Sequence, residues 1–226
     1  MSENKENINE SVEEVSTINP STGNELKDNF NDFFQGKVKY ITYGVVAVAV
    51  VVLGYFGYQK FIVEPADKES AEAIYMGEDY LIAGEFEKVI NGDSLGYNGM
   101  IAQAKKFDGY SGGEIAYYDL GVAHMNLGQY EEAMKAFKQV DFSDEILATM
   151  TLGAMGDCSV ELDKLKDAID YYEQAYQRRP KNELTAPIYM MKLAGAKELD
   201  GKFDEAATLY WDLIQNFPNS SYKPQA

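Results

Sequence analysis

From Tyr40 to Tyr58 the chain reads YITYGVVAVAVVVLGYFGY, apolar on every face and without a charge. Nine of these nineteen residues are Val, Ile, Leu or Phe. At helical rise the run covers about 28 Å, close to the hydrocarbon thickness of a bilayer. Those nine side chains alone contribute roughly −3 to −5 kcal/mol to membrane insertion. Tyr40 and Tyr43 stand at one end and Tyr55 and Tyr58 at the other, where an interfacial aromatic belt belongs. A surface helix of a soluble domain would show one polar face. The pattern therefore predicts a single membrane-spanning helix over about 40–58. After Val63 the chain turns polar, short of proline and periodic. Its apolar positions fall into helix pairs that repeat at a fixed interval, the signature to look for first.

The clearest copy is EIAYYDLGVAHMNLGQYEEAMKAFKQV from Glu114, with Tyr117, Leu120, Gly121, His124, Gly128, Tyr130, Ala133 and Phe137 at its marked positions. A second copy from Thr149 carries Leu152, Gly156, Leu165, Ala168, Tyr172, Ala175 and Pro180. A third from Pro187 carries Met190, Ala194, Gly201, Phe203, Ala206, Tyr210 and Pro218. The alanines Ala133, Ala168 and Ala206 are 35 and 38 residues apart, and KNELTAP (Lys181 to Pro187) reads as the longer loop behind the second interval. A degenerate copy comes first, with Gly77, Tyr80, Gly84, Phe86 and Val89. Its second helix is broken by NGDSLGYNG, resumes at MIAQAKKF and closes at DGYSGG. The pattern resembles the tetratricopeptide repeat, two antiparallel helices over about 34 residues. Small residues let the helices approach and large ones fill the gaps between units. No unit buries its apolar face alone, so neighbours must stack.

The expected fold is all-α, a right-handed superhelix of helix-turn-helix tetratricopeptide repeats behind a single transmembrane helix and a disordered acidic tail. The expected division is a tail over 1–29, a juxtamembrane segment and span over 30–63, and a repeat domain over 64–226. Within that domain the units are expected at about 70–107, 114–147, 149–182 and 187–220. The third good unit ends six residues before Ala226, without the usual polar capping helix. Either its last helix is polar outside or that face meets a partner. Trp211 lies on this helix, and packing within the repeat is its ordinary fate.

Charge refines the picture. The first 39 residues hold eight acids against four lysines, unlike the short basic start of a cleaved export signal. The span therefore reads as an uncleaved anchor, and the polar, aromatic-free first 29 residues as disordered. Phe30, Phe33 and Phe34 fit either an interfacial helix or the plain start of the membrane helix. Lys27, Lys37 and Lys39 before the span against Lys60 and Lys68 after it leave orientation near even. Beyond Val63, 29 acids face 15 lysines and arginines, which speaks against nucleic acid.

Literal motif matches do not hold up. GDSLG (Gly92 to Gly96) matches a nucleophile elbow, but an elbow needs a strand before it and a helix after it. It interrupts a helical repeat here, and the only histidine, His124, stands on a repeat helix. A turn is the better reading. Cys158 is the only cysteine and reads as a small buried residue. One His and one Cys make no metal cluster, and no glycine-rich phosphate loop is present. The chain is therefore read as non-enzymatic, with no catalytic residues, cofactor, metal or small-molecule substrate.

Repeat arrays bind partners along the groove lined by the first helix of each unit. The candidate groove residues are Ile115, Tyr118, Val122 and Met125, then Met150, Asp157 and Glu161, then Ile188, Met191 and Glu198. Met and Tyr suit adaptable contacts, so the groove should take extended apolar or basic segments of proteins or peptides. The order of tail, span, degenerate NGD unit, YYDLGVAHMNLGQYEEA, GAMGD and TAPIYMMKLAGAKE resembles the membrane-anchored tetratricopeptide proteins common in Bacteroidota. More distantly it is similar to the YfgM-type ancillary subunit of the SecYEG translocon. That resemblance implies a single-pass inner-membrane protein with a cytoplasmic N-terminus and periplasmic repeats. It implies translocon subunits and periplasmic chaperones as partners, membrane lipid around the anchor, and exported chains handed on to the chaperones. A structural adaptor in an envelope assembly or secretion complex is the alternative.

Overall fold

A computed structural model describes residues 20–222, with side chains from Lys37 onward. The chain divides into two units at Lys60 and Phe61. The first holds α1 (Pro20–Tyr58). Proline suits the first turn of a helix, where its missing N–H would have no partner. Residues 20–29 of the expected tail are thus the start of α1, and residues 1–19 lie outside the described residues. The side chains of Phe30, Phe33 and Phe34, which fit either an interfacial helix or the start of the membrane helix, also lie outside them. α1 is the one helix among the described residues long and apolar enough to cross a membrane, with mean hydropathy 1.9 in its most apolar window and none of that window buried. Val51 and Leu53 are about seven-tenths exposed. Gln59–Val63 form one π-helical turn.

The second unit is all helix among its described residues. It comprises α2 (Glu64–Ile82), α3 (Phe86–Asn91), α4 (Met100–Lys106), α5 (Ser111–Asn126), α6 (Tyr130–Phe137), α7 (Glu145–Glu161), α8 (Leu165–Arg178), α9 (Thr185–Leu199) and α10 (Phe203–Asn216). α5 and α6, α7 and α8, and α9 and α10 are antiparallel pairs, and each second helix also touches the next first helix where one follows. α2, α3 and α4 close over α5 and form the degenerate unit.

The spacing rule for small residues has a direct structural counterpart. Ala133, Ala168 and Ala206 are buried at 0, 0 and 2% exposure. A side chain on Gly121 would run into the Phe137 ring, and one on Gly156 into Tyr172. The turn between the two helices of each unit uses one left-handed residue: Gly84 (φ 74°), Gly128 (φ 72°), Asp163 (φ 56°) and Gly201 (φ 77°). Glycine enters that region freely, and Asp is among the few other residues that tolerate it.

Two expected boundaries move, and one side chain is placed differently. The loop over 181–187 is shorter, because α9 begins at Thr185 and includes Pro187 in its first turn. Asn182 Oδ1 accepts hydrogen bonds from the backbone N–H groups of Leu184 (2.9 Å) and Thr185 (2.8 Å), doing the work of an N-cap. Asp144 caps α7 in the same way, accepting from Ile146 and Leu147. The DGYSGG closure also ends early, since Ser111, Gly112 and Gly113 form the first turn of α5. Gly112 lies against Ser70 of α2, where an added Cβ would sit 2.5 Å from the serine Cβ. Its N–H donates to Ser70 Oγ at 3.2 Å. Trp211 does not pack within its repeat, being 64% exposed on α10.

Candidate functional site

The ten groove residues lie on the first helices α5, α7 and α9, and none of them is fully buried. The structure divides them. Ile115 packs on the core of the degenerate unit, around Ile74, Ala116 and Leu120. Tyr118, Val122 and Met125 cover the next core, formed by Ala133, Phe137, Met155 and Cys158. Ile188 belongs to the α8–α9 core and Met191 to the α9–α10 core. Met150 is 40% exposed. Glu198 is turned toward α10, accepting from the Tyr210 hydroxyl at 3.1 Å.

Three of the ten meet in one open cleft of about 350 Å³. Met125, Asp157 and Glu161 line it together with Asn126, Tyr130, Val160 and Tyr172. Asn126 donates its side-chain amide to the Val122 carbonyl (2.8 Å), which fixes that wall. Burial, with Glu161 next, holds the Tyr130 hydroxyl above its usual range.

Sequence reasoning missed the polar bridge beneath the cleft. Asp157 accepts from the Tyr172 hydroxyl (2.7 Å) and from Lys192 Nζ (2.6 Å). The lysine sits on the first helix of the following unit, so one carboxylate ties α7, α8 and α9 together. Burial and then Asp157 push the Tyr172 phenol far above its ordinary value, and the same two causes raise Tyr189. Asp157, about a third exposed in the cleft wall, is therefore paired with Lys192. The groove is less acidic than its sequence implies, and its apolar residues dominate. The only available signal was Lys192 itself, 35 residues from Asp157, close to one repeat length. Replacing Asp157 with Ala should cost about 1–3 kcal/mol in a denaturant titration, since Tyr172 and Lys192 lose their acceptor. An unchanged midpoint would mean that water serves them equally well.

The motifs set aside in the sequence are accounted for locally. The GDSLG loop is an Asp-centred turn: Asp93 Oδ1 accepts from the N–H groups of Leu95 (2.8 Å) and Tyr97 (2.9 Å), and Oδ2 from the Tyr80 hydroxyl. These bonds, Tyr80 first, hold Asp93 below the usual carboxylate range. His124 Nδ1 is 2.6 Å from Gln129 Oε1, at the turn of its own unit. Cys158 is fully buried between α6 and α7, and burial raises its thiol to about 11, which is the inert kind of cysteine.

Models of the tetratricopeptide repeat match residues 115–140, 151–182 and 189–220. These are the pairs α5–α6, α7–α8 and α9–α10, so the second unit contains three tetratricopeptide repeats, the class of module that binds proteins or peptides. No curated protein matches the chain.

Proposed function

We propose that this is a membrane-anchored protein–protein interaction module, non-enzymatic, whose array receives extended, largely apolar segments along α5, α7 and α9. In this reading α1 crosses the inner membrane with lipid around it, the N-terminus is cytoplasmic and the repeats are periplasmic. The module serves as an ancillary component of the Sec translocon and passes exported chains to periplasmic chaperones. The observation that carries the binding role is the open cleft at Met125, Asp157 and Glu161, with Tyr118 over the same core as Met125 and Met150 exposed on α7. It lies on helices of successive units, so a long segment can touch several in turn. The exposed apolar face of α1 supports the anchor. The place at the translocon rests on the resemblance in architecture.

The test is photocrosslinking in native membranes, with the crosslinker placed at Tyr118 and Met191 of the full chain. Translocon subunits, chaperones and a smear of exported chains are the expected adducts. In a separate pull-down without the crosslinker, alanine at Tyr118, Met125 and Met191 together should reduce recovery of the same partners about tenfold, the equivalent of roughly 1.4 kcal/mol. A single envelope protein in fixed ratio would make the chain an adaptor and end the translocon reading. Recovery unchanged by the triple variant would end the groove reading.

A further inference from the structure

α10 repeats α8 at an interval of 38 residues, as Ala168 and Ala206 show. In that register Leu165 matches Phe203, Ile169 matches Ala207, and Tyr172 matches Tyr210. On α8 this face is covered. Ile169 and Tyr172 are 8% and 4% exposed, packed against Tyr189, Leu193 and Ala196 of α9. On α10 the same face is open. Phe203 is 66% exposed, Ala207 is exposed, and Tyr210 and Ile214 are half-buried. Trp211, 64% exposed, stands at the edge of this face, where α8 carries Glu173, charged and left exposed by α9. A solvated face would carry the charge rather than the indole. The fold thus shows what fits such a face, namely a helix lying as α9 lies on α8.

Charge narrows the occupant. Between Phe203 and Asn216 there are three acids, Asp204, Glu205 and Asp212, and no basic residue. Lys197 is paired with Glu205, and Lys202 with Asp200. Asp204, next to Phe203, has no ion-pair partner among the described residues, while Asp212 lies toward Tyr176 of α8. A second copy would bring more acid to acid, since the chain carries a net charge of −17, and like charges across an interface disfavour association. We propose that the open face of α10 docks, in trans, an amphipathic helix of a partner protein whose apolar stripe is flanked by lysine or arginine. This surface is separate from the groove.

Trp211 is the only tryptophan of the chain, so the face carries its own reporter. The probes are two synthetic eighteen-residue helical peptides with the same Leu/Ala/Tyr stripe, one flanked by lysines and one by glutamates. They are titrated into the full chain in a nonionic detergent. The lysine peptide should shift Trp211 emission to the blue with saturation, and the glutamate peptide should bind at least about tenfold more weakly. Phe203→Ser and Ala207→Glu, both at exposed positions that spare the fold, should each weaken the lysine peptide by a similar factor. Circular dichroism melts verify that these variants remain folded. No shift with the lysine peptide overturns the proposal. Equal binding of both peptides also overturns it, since that is unselective apolar adhesion. So does sedimentation showing that the chain self-associates and that Ala207→Glu abolishes it, because the occupant is then a second copy.

Discussion

Replacing Asp119 with Asn should stabilise the repeat array by about 4 kcal/mol above pH 7. Asp119 is 5% exposed on α5, and its Oδ2 has no hydrogen-bond partner among the described residues. Burial first, and Glu78 on α2 second, raise its carboxyl from 3.8 to about 7. The unfolded chain releases this proton near 3.8, while the folded chain holds it until about 7. The carboxyl is therefore harmless below pH 4. It weakens the fold progressively as pH rises from there to 7, and the full penalty remains above that. Every tenfold difference in proton affinity between the folded and unfolded chain is worth about 1.4 kcal/mol, which sets the expected magnitude. Urea titrations of both proteins at pH 4.5, 6 and 8 measure it. The gap between them should widen with pH and then level off. A gap that is constant with pH would place the Asp119 proton elsewhere.

The second large effect concerns Gly153 on α7. A Cβ there would stand 2.0 Å from a ring carbon of Tyr189, which is itself 6% exposed and walled in by α8 and α9. The ring cannot swing away without vacating the core between units. Gly153→Val should cost at least about 3 kcal/mol, at the upper end of overpacking penalties. Gly195 on α9 provides the contrast. Its nearest neighbour to an added Cβ is the Tyr210 hydroxyl at an ordinary 3.9 Å. Gly195→Ala should therefore gain about 0.5–1 kcal/mol from helix propensity alone. Thermal or denaturant midpoints of the two variants should move in opposite directions. Movement in the same direction would discount the Tyr189 contact.

That pair of glycines also marks how far the sequence could be read. Within a unit the small residues were legible, but Phe137 and Tyr172, expected in the gaps between units, meet Gly121 and Gly156 across the turn of their own unit. The Gly153–Tyr189 contact was not legible. It joins successive units, and which residues touch there depends on the angle at which one unit settles on the next. The Asp157–Lys192 bridge escaped for the same reason, and it turned an expected free groove carboxylate into one paired across units. Trp211 defeated a rule about averages, since large aromatics are mostly buried and this one is 64% exposed. Asp119 could have been found. Ala116 and Ala123 flank it at three and four residues and are both fully buried, so the helical period already placed a carboxylate on the inner stripe.

Cys158 has one more consequence. Its thiol is sealed where α6 meets α7 and stays protonated at neutral pH, so it reacts only in molecules where that seam has parted. The rate at which a reagent consumes it is then set by how often the joint between two units breathes, not by the chemistry of sulfur. An array built by stacking has no single lid or hinge, and this atom acts as a stopwatch placed inside one of its joints.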